Sequence, residues 1–434
     1  RYRWGKADRL LATEDSRRGT TRYGYTPNGQ LEYAEYGDGT EQWRKSDEVG
    51  NLYPNPDCTV RRFLKGGAME QDGKWHCEYD KDGNLTERYI GTGRWLDGKK
   101  EHWKYRWNAD GSLAKVVRPD GEEVTFEYDA LGRRLSKSFG TTVTRWMWNG
   151  NIPLHQWKQR RSYSREKNAW LMDGKRRDNT LWLFEEESFV PAAMIKEGKA
   201  YSILTDHLGT PTEAYDTEGN EVWSRTLDMN GEVIEENGNT GMIPFLFQGQ
   251  YYDQETGLAY NRFRYYSPQM GMYISQDPIR LNGGIELNNY VKNTTIFIDL
   301  YGLAPLIQNA PHYAGVYYIQ GANGESYVGS AVNIYNRLDS SSHPIARDII
   351  QSGNYKITFF EVDLGKANSR KQINHVLRHF EQQIMDLTNP NMNQRRAESI
   401  KKEKQRSTEV LLLKAALTGH SESQTNGNFY KKNS

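Results

Sequence analysis

The chain has 434 residues, of which 36% are hydrophobic and 12% aromatic, with 40 glycines and a formal net charge of +1. This length supports two or three domains, and the richness in aromatic residues and glycine favours β-structure with many turns over a helical bundle. No run approaches the roughly 18 apolar residues of a membrane-spanning helix, so we predict no membrane span. Cys58 and Cys77 are too few for a disulfide framework or a zinc site, and we predict two ordinary thiols.

Charge is distributed unevenly along the chain. Residues 304–434 contain 16 Lys and Arg against 11 Asp and Glu, whereas residues 1–303 contain 41 against 45. A basic segment that follows an acidic one is consistent with binding of a polyanion by residues 304–434. The chain does not begin with Met and shows no signal peptide, so we expect a portion of a longer protein.

A loose repeat runs through residues 1–243, which we predict to be one β-rich domain. Its unit is an aromatic or polar residue, often followed by Asp or Asn, and then a short turn that ends in Gly. Asp and Asn tolerate left-handed backbone angles and Gly adopts them freely, so each unit predicts a hairpin turn. We interpret the repeated Tyr and Asp residues as architectural, because such hairpins must stack or curl to bury their faces. The units include Tyr25–Gly29, Ser46–Gly50, Tyr79–Gly83, Trp107–Gly111, Tyr128–Gly132 and Tyr215–Gly219.

This segment resembles the YD-repeat shells of the Rhs (rearrangement hot spot) and toxin-complex proteins. The string from Asp206 to Pro211, DHLGTP, is typical of Rhs cores and strengthens the resemblance. The resemblance implies an all-β shell that spirals into a hollow cocoon. Residues 1–243 would form the C-terminal part of that shell.

Residues 244–303 are dense in aromatic residues and arginine, especially between Phe247 and Tyr266. Such residues form cation–π contacts in a core, or they stack with the bases of nucleic acid. We expect core packing. The Rhs resemblance implies that this region is the plug that closes the shell.

Two aspartates in this region stand 22 positions apart, Asp277 before a proline and Asp299 in the string DLYGL. Rhs cores end in a similar way, and the resemblance implies an aspartyl-protease-like pair that cuts the chain between Leu303 and Ala304. Two carboxylates held close together cannot both ionise, so one serves as a base for water and the other as an acid. Leu300 departs from the family, which usually has proline there. The alternative interpretation is that both aspartates are turn residues.

Residues 304–434 are predicted to form a small α/β domain on a three-stranded antiparallel sheet. An Asn-Gly turn separates the first two strands, and a long helix carries apolar residues on one stripe, including Leu377 and Ile384. We predict strands over 314–319, 326–329 and 356–362, and helices over 333–338, 370–387 and 399–417.

An ordered array on this frame resembles the GIY-YIG nuclease family. The strings GVY, ending in Tyr317, and YVG, beginning at Tyr327, match the two motifs that name the family. Arg337 follows Tyr327 by ten positions, Glu381 begins a Glu-x-x-Ile pattern, and Asn393 ends a Pro-x-x-Asn element. The resemblance covers about a third of the chain.

The resemblance implies metal-assisted hydrolysis of a phosphodiester bond. Glu381 would hold Mg²⁺, with Mn²⁺ as the alternative, since hard cations prefer carboxylate oxygen. Arg337 would clamp the scissile phosphate through its bidentate fork. Tyr317 would act as the general base and Tyr327 would bind the water or the phosphate. Asn393 would brace the site or contact DNA.

Two features of this part leave alternatives open. The family often has His four positions after the arginine, where this chain has Ser341; His343 either substitutes for it or is a loop residue. A basic stretch that follows Asn393 is either a solvated helix face or a surface that contacts DNA phosphates. This basic stretch contains Arg395, Arg396, Lys401, Lys402 and Lys404.

These features predict a secreted Rhs-type polymorphic toxin, with residues 304–434 as its GIY-YIG DNase. The resemblance implies a secretion-system spike or adaptor as a partner, with type VI secretion as the route, together with the remainder of the shell. It also implies release by self-cleavage, delivery into the target-cell cytoplasm, DNA as substrate and a cognate immunity protein. The alternatives are a YD-repeat adhesion protein with a catalytically inactive C-terminal binding module, and a repair nuclease, in which the repeat shell has no role.

Overall fold

A computed structural model of the chain describes residues 1–5, 9–27, 29–91, 98–186, 188–280, 286–303, 306–307, 315–321, 326–331, 355–361, 377–378, 381, 385, 421–425 and 428–432. The chain divides into two compact units. One contains Gln42–Thr294 and Ile298–Pro305, and the other contains Arg1–Glu41, Thr295–Phe297 and Leu306–Ser434. In the described part of the chain, no helical segment has the length and apolarity that a bilayer crossing requires.

The N-terminal residues form an antiparallel sheet of five strands in chain order. Its strands are β1 (Tyr2–Trp4), β2 (Leu10–Asp15), β3 (Gly19–Tyr25), β4 (Leu31–Glu35) and β5 (Glu41–Trp43). Two short strands then pair with each other, β6 (Lys45–Ser46) and β7 (Leu52–Tyr53).

The larger unit is built on a closed barrel of consecutive antiparallel strands. Its strands are β8 (Arg61–Phe63), β9 (Met69–Asp72), β10 (Trp75–Tyr79), β11 (Leu85–Ile90), β12 (Lys100–Trp107), β13 (Leu113–Val117), β14 (Glu123–Tyr128), β15 (Arg134–Phe139), β16 (Thr142–Asn149), β17 (Ile152–Ser164), β18 (Ala169–Met172), β19 (Arg177–Phe184), β20 (Pro191–Lys196), β21 (Lys199–Thr205), β22 (Pro211–Tyr215), β23 (Glu221–Leu227) and β24 (Val233–Gly238). The predicted all-β repeat architecture is therefore confirmed for these residues.

The repeated aspartate caps the turn between successive strands. In the turn after β10, the Asp80 carboxylate accepts hydrogen bonds from the backbone N–H groups of Asp82 at 2.9 Å and Asn84 at 3.0 Å. Gly83 has a φ of +79°, a left-handed conformation that favours glycine. The architectural interpretation of these aspartates is confirmed. The same pair of backbone hydrogen bonds recurs at Asp47, Asp129, Asp206, Asp216 and Asp228.

The aromatic residue before the turn links two repeats. The Tyr128 hydroxyl donates to the Leu113 carbonyl at 2.7 Å, and the Trp107 indole N–H donates to the Leu85 carbonyl at 2.7 Å. Each ring therefore packs against the barrel core while its polar atom hydrogen-bonds to a backbone carbonyl.

Cys77 lies in this core, where burial raises the pKa of its thiol to about 11. Cys58 and Cys77 are free thiols, as predicted.

Residues 244–294 belong to the same compact unit as the barrel, and their aromatic side chains fill its core. Tyr251, Tyr260 and Tyr265 are buried against barrel residues such as Phe126 and Trp146. The prediction of core packing is therefore confirmed. The four strands of this segment form one antiparallel sheet: β25 (Tyr251–Asp253), β26 (Leu258–Asn261), β27 (Arg264–Ser267) and β28 (Met272–Tyr273).

A buried ion pair joins this core segment to the barrel wall. The Arg134 side chain is 1% exposed, and its Nη2 lies 3.1 Å from Oδ1 of Asp253, which is 0% exposed. Lys137 Nζ lies 2.9 Å from Oδ1 of Asp253 and 2.7 Å from Oε2 of Glu255. The guanidinium also lies 4.5–5.6 Å from four ring centroids, those of Trp146, Tyr260, Tyr251 and Phe126.

We expect Arg134→Met to destabilise the chain by about 3–5 kcal/mol, because it removes one partner of a buried, hydrogen-bonded charge pair. Urea unfolding of the full chain, followed by tryptophan fluorescence, measures the change. Arg22→Met is the matched control, since Arg22 and Glu35 form an exposed pair that is worth at most about 1 kcal/mol. Equal effects of the two substitutions would contradict this account of the core.

Two short strands follow the core segment along the chain, β29 (Phe297–Ile298) and β30 (Leu306–Ile307). The C-terminal residues then form an antiparallel sheet of five strands, β31 (Gly315–Gly321), β32 (Ser326–Ala331), β33 (Tyr355–Glu361), β34 (Ser421–Thr425) and β35 (Asn428–Lys432). Their order in the sheet is β32, β31, β33, β34, β35. The prediction of three strands was wrong in number, because residues that follow the last predicted helix add a hairpin next to β33. Of the predicted long helix, residues 377–378, 381 and 385 are described and are helical, with Leu377 buried as expected.

Candidate active sites

Two predicted tyrosines lie together on the C-terminal sheet. In the register of β31 and β32, Tyr317 is opposite Gly329 and Ile319 is opposite Tyr327. Since residues two apart on a strand share a face, Tyr317 and Tyr327 project from the same face. Their ring centroids are 6.3 Å apart at an interplanar angle of 42°, and both residues are buried.

Gly329 makes room for the Tyr317 ring. A Cβ atom at position 329 would lie 2.4 Å from both Cζ and Oη of Tyr317, well inside van der Waals contact. The glycine of the YVG string is therefore required by a close approach of a side chain. Its φ is not in the left-handed region, so backbone conformation is not the reason.

Glu381 binds to strand β32 through Ser330. The side chain is buried, with the residue 5% exposed, and the Ser330 hydroxyl donates a hydrogen bond to Oε2 of Glu381. Side chains alternate along β32, so Ser330 leaves the sheet on the face opposite Tyr327. The structure thus brings the two tyrosines together on one face of the sheet, whereas the Ser330 side chain that binds Glu381 leaves from the opposite face.

The side-chain oxygen atoms of Glu381 and Ser330 are of the kind that a hard cation prefers. A carboxylate and a hydroxyl are ligands that Mg²⁺ accepts, and Mg²⁺ usually keeps several waters beside one or two carboxylates. Within the described ranges no group of three or more His, Cys, Asp or Glu residues has a metal-binding arrangement. Glu381 and Ser330 supply one carboxylate and one hydroxyl of this kind.

The other residues predicted for the nuclease site lie outside the described residues, and their roles stay predictions. These are Arg337, His343, Asn393, Arg395, Arg396, Lys401, Lys402 and Lys404.

The two predicted aspartates of the self-cleavage pair lie together in the larger unit. Oδ2 of Asp277 and Oδ2 of Asp299 each lie 3.2 Å from the same nitrogen, Nη2 of Arg264. All three side chains are at most 4% exposed. The interpretation as simple turn residues explains Asp277 in part, since its carboxylate accepts the Ile279 N–H at 2.9 Å, but it does not explain the shared arginine.

Asp299 binds the backbone next to the predicted cleavage point, at the peptide group between Gly302 and Leu303. Its Oδ1 accepts a hydrogen bond from the Leu303 N–H at 3.0 Å, and its Oδ2 accepts one from the Tyr273 hydroxyl at 2.9 Å. Burial raises the pKa of the Asp299 carboxyl above its ordinary value, while Arg264, the Leu303 N–H and Tyr273 oppose that rise. Ala304, on the far side of the predicted cut, lies outside the described residues.

Arg264 is the residue of this site that sequence reasoning missed. Its Nε donates to the Gly302 carbonyl and its Nη1 donates to the Leu287 carbonyl at 3.1 Å. The guanidinium carbon lies 3.6 Å from the Tyr273 ring centroid. The only signal in the sequence was the abundance of arginine and tyrosine in this region, which does not single out one arginine.

The backbone before the predicted cut is held tightly. Gly302 has a φ of +67°, and a Cβ there would lie 2.7 Å from the Asn261 carbonyl oxygen. Leu300, at the position where Rhs cores usually have proline, is 1% exposed, and its carbonyl oxygen would lie 2.3 Å from a Cβ at Gly249. Packing therefore holds this segment in place without the proline.

Known proteins resemble this chain mainly over the repeats. Residues 6–301 match the teneurin YD-shell family. Double-stranded DNA deaminase toxin A of Burkholderia cenocepacia (strain H111) is 28% identical over 370 residues, which are 79% of this chain and 25% of that protein. Probable deoxyribonuclease RhsA of Dickeya dadantii (strain 3937) is 27% identical over 376 residues, 79% of this chain and 24% of that protein.

The chain spans about a quarter of the length of these two relatives. Among solved structures, the crystal structure of TcdB2-TccC3 covers 70% of this chain and 18% of its own, with 15% identity and a TM-score of 0.43. The family match extends over well more than half of the 434 residues and contains the barrel, its turns and the core segment. The chain therefore belongs to the teneurin YD-shell family.

Proposed function

We propose that this chain is a portion of an Rhs-type polymorphic toxin and that residues 304–434 are a GIY-YIG endonuclease that cuts DNA. The toxin class is supported by relatives that bear the names of a DNA deaminase toxin and a probable deoxyribonuclease. The observation that carries the nuclease proposal is the arrangement on β31 and β32. There Tyr317 and Tyr327 lie together over Gly329 on one face of the sheet, and Ser330, whose side chain leaves from the other face, binds the buried Glu381.

The roles follow from the chemistry of the residues. A phosphodiester resists attack because it is anionic, so a site must neutralise charge and activate water. A divalent cation such as Mg²⁺ or Mn²⁺, held by Glu381, would supply that neutralisation. Tyr317 takes a proton from the attacking water, and Tyr327 orients the water or the phosphate. Arg337 holds the phosphate, and the basic stretch from Arg395 to Lys404 binds neighbouring phosphates.

The biological setting is part of the same proposal. The toxin is secreted, with type VI secretion as the route, and its nuclease acts in the cytoplasm of the target cell. Its partners are the rest of the shell, a spike or adaptor of the secretion system, and a cognate immunity protein that protects the producing cell.

Incubation of the purified chain with supercoiled plasmid and Mg²⁺ or Mn²⁺ tests the nuclease proposal. We expect nicked and linear DNA that disappears when EDTA is added. A chain that leaves DNA intact with both metals contradicts the proposal and favours an inactive binding module at the C-terminus.

We further propose that the chain cuts itself after Leu303. Support comes from the two buried aspartates that share Nη2 of Arg264 and from the hydrogen bond between Asp299 and the Leu303 N–H. Arg264 acts as a positioning residue, because it binds both carboxylates and the Gly302 carbonyl. Intact-mass measurement of the purified protein should show one fragment ending at Leu303 and one beginning at Ala304.

Gly329→Ala should slow plasmid nicking by about tenfold or more, because the added methyl group displaces the Tyr317 ring from the position that the site requires. Nicking rates at saturating Mg²⁺ measure the effect. Ser326→Ala, on the same strand, is the control and should retain the wild-type rate. A fully active Gly329→Ala variant would contradict a role for the Tyr317 position.

A further inference from the structure

A polar cavity of about 130 Å³ lies where the barrel wall meets the core segment. The barrel contributes Trp182 from β19 and Arg225 from β23, and the core segment contributes Pro244 and Tyr251. For comparison, an apolar cavity of about 150 Å³ inside a protein can hold benzene. This cavity therefore has room for a ligand of a few non-hydrogen atoms.

Most of the charged side chains that line this cavity bind one another or other groups of the protein. Lys158 Nζ lies 2.8 Å from Oδ2 of Asp178. Lys137 Nζ lies 2.7 Å from Oε2 of Glu255. Oε1 of Glu236 accepts an indole N–H at 2.6 Å and a backbone N–H at 2.9 Å. These five residues therefore balance their own charges or satisfy neighbouring donors.

The two other charged residues of the lining are Lys196 and Arg225, and Arg225 is buried without an ion pair to any described carboxylate. It is 2% exposed, and its terminal nitrogens donate to the carbonyls of Ile243, at 3.1 Å, and Phe245. Burial lowers the pKa of the Arg225 guanidinium to about 10, while attraction by Glu236 opposes that fall. Arg225 is therefore a cation at neutral pH, and a buried cation is costly unless an anion pairs with it.

Two buried nitrogen atoms of the lining have no hydrogen-bond acceptor within the described ranges, Nε of Arg225 and Nε1 of Trp182. Trp182 is 1% exposed, and the N–H of a buried tryptophan usually finds an acceptor. Both atoms are donors, and no buried acceptor atom of a lining side chain lacks a partner in the described part of the chain. A water molecule would bring two hydrogen atoms that need acceptors of their own, whereas an oxyanion brings only acceptors. The unpaired atoms therefore favour an oxyanion over water.

We propose that this cavity binds a small oxyanion, of the class of phosphate, sulfate or a short carboxylate. Nε of Arg225 and Nε1 of Trp182 donate hydrogen bonds to its oxygens, and the Lys196 ammonium adds a second positive charge. A ligand in this position joins the barrel wall to the core segment, so it stabilises the shell itself. The proposal depends neither on the nuclease nor on self-cleavage, because every lining residue belongs to the barrel or to the residues that directly follow it.

Equilibrium dialysis of the full chain tests this proposal, with radiolabelled phosphate, sulfate and acetate in separate arms at constant chloride concentration. We expect a saturable site for at least one of the three anions. Arg225→Gln removes the positive charge and the Nε donor, so it should lower the affinity of that site by about tenfold or more.

Arg44→Gln is the matched control for this variant. Arg44 is also 2% exposed and also donates to two backbone carbonyls, those of Val291 and Lys292, but it does not line this cavity. The control therefore makes the same change at an equally buried arginine. It should bind the anion with the affinity of the wild type.

Trp182→Phe keeps the test valid if Arg225→Gln does not fold. Phenylalanine retains a ring against Phe245, whose centroid lies 4.7 Å from that of Trp182, and it removes the indole N–H. We expect the affinity for the anion to fall by about tenfold. Trp107→Phe is the control, since its N–H donates to the Leu85 carbonyl and the residue does not line this cavity. The anion should also raise the midpoint of thermal unfolding less for Trp182→Phe than for the wild type and the control.

Weaker binding by the cavity variants, with wild-type affinity in both controls, supports the site. The arm that shows saturable binding identifies the ligand as a tetrahedral oxyanion or a carboxylate. The absence of saturable binding in all three arms overturns the proposal and leaves the cavity to water. Equal affinity in the wild type and the cavity variants overturns it as well, because the anion then binds elsewhere, as it would on the basic stretch of residues 395–404.

Discussion

Glu381→Gln is expected to abolish DNA cleavage by the chain, with a fall in rate of about a thousandfold or more. Glutamine keeps the size of the side chain and can still accept the Ser330 hydrogen bond. It removes the negative charge with which the proposed site would hold a divalent cation. A lower rate of DNA cleavage would therefore result from the lost charge and not from unfolding of the sheet.

Plasmid nicking over a range of Mg²⁺ concentrations measures this effect, and titration with Mn²⁺ followed by paramagnetic resonance measures metal binding directly. Glu361→Gln is the control, because it makes the same change of charge on another strand of the sheet. Glu361 is the last residue of β33 and is opposite Gly315. It should leave both measurements unchanged. A Glu381→Gln variant that still nicks DNA would exclude Glu381 as the metal ligand.

Asp299→Asn is expected to stop self-cleavage after Leu303, slowing it by about a thousandfold or more. In the proposed self-cleavage one carboxyl of the pair acts as base and the other as acid, and an amide can do neither, although it can still accept the Leu303 N–H. The uncut chain should then accumulate at its full mass of 50.2 kDa.

Intact-mass measurement on freshly purified protein provides the test. Asp216→Asn is the matched control, because Asp216 caps an exposed repeat turn and its replacement should leave cleavage complete. If Asp299→Asn is cut as efficiently as the wild type, the aspartate pair is not the self-cleavage site.

The sequence predicted those features that depend on local chemistry. Turn aspartates such as Asp80 hydrogen-bond to residues two and four positions away, so a short string of letters contains the whole interaction. Tyr317 and Tyr327 lie on the two strands of one hairpin, as predicted from the Asn-Gly turn between them. These predictions needed no knowledge of distant parts of the chain.

The features that sequence reasoning missed depend on distant contacts. Arg134 forms an ion pair with Asp253, 119 positions away in the sequence, and Arg264 forms one with Asp299, 35 positions away. Arginine is common in this chain, and nothing local distinguishes a buried arginine from an exposed one. The two extra strands after residue 420 were missed for a related reason, since SESQT and NFYKK lack the apolar alternation of a half-buried strand.

The segment before Asp277 contacts repeats that are synthesised much earlier in the chain. The Ile274 carbonyl accepts the Leu85 N–H at 2.9 Å, and the turn at Gly83 lies against Gln276, so the barrel holds the segment that leads to Asp277. The aspartate pair is therefore complete only when early repeats and the last residues of the core have met. If the chain cuts itself as proposed, self-cleavage would act as a checkpoint on assembly, since a chain in which these parts have not met would keep residues 304–434 covalently attached.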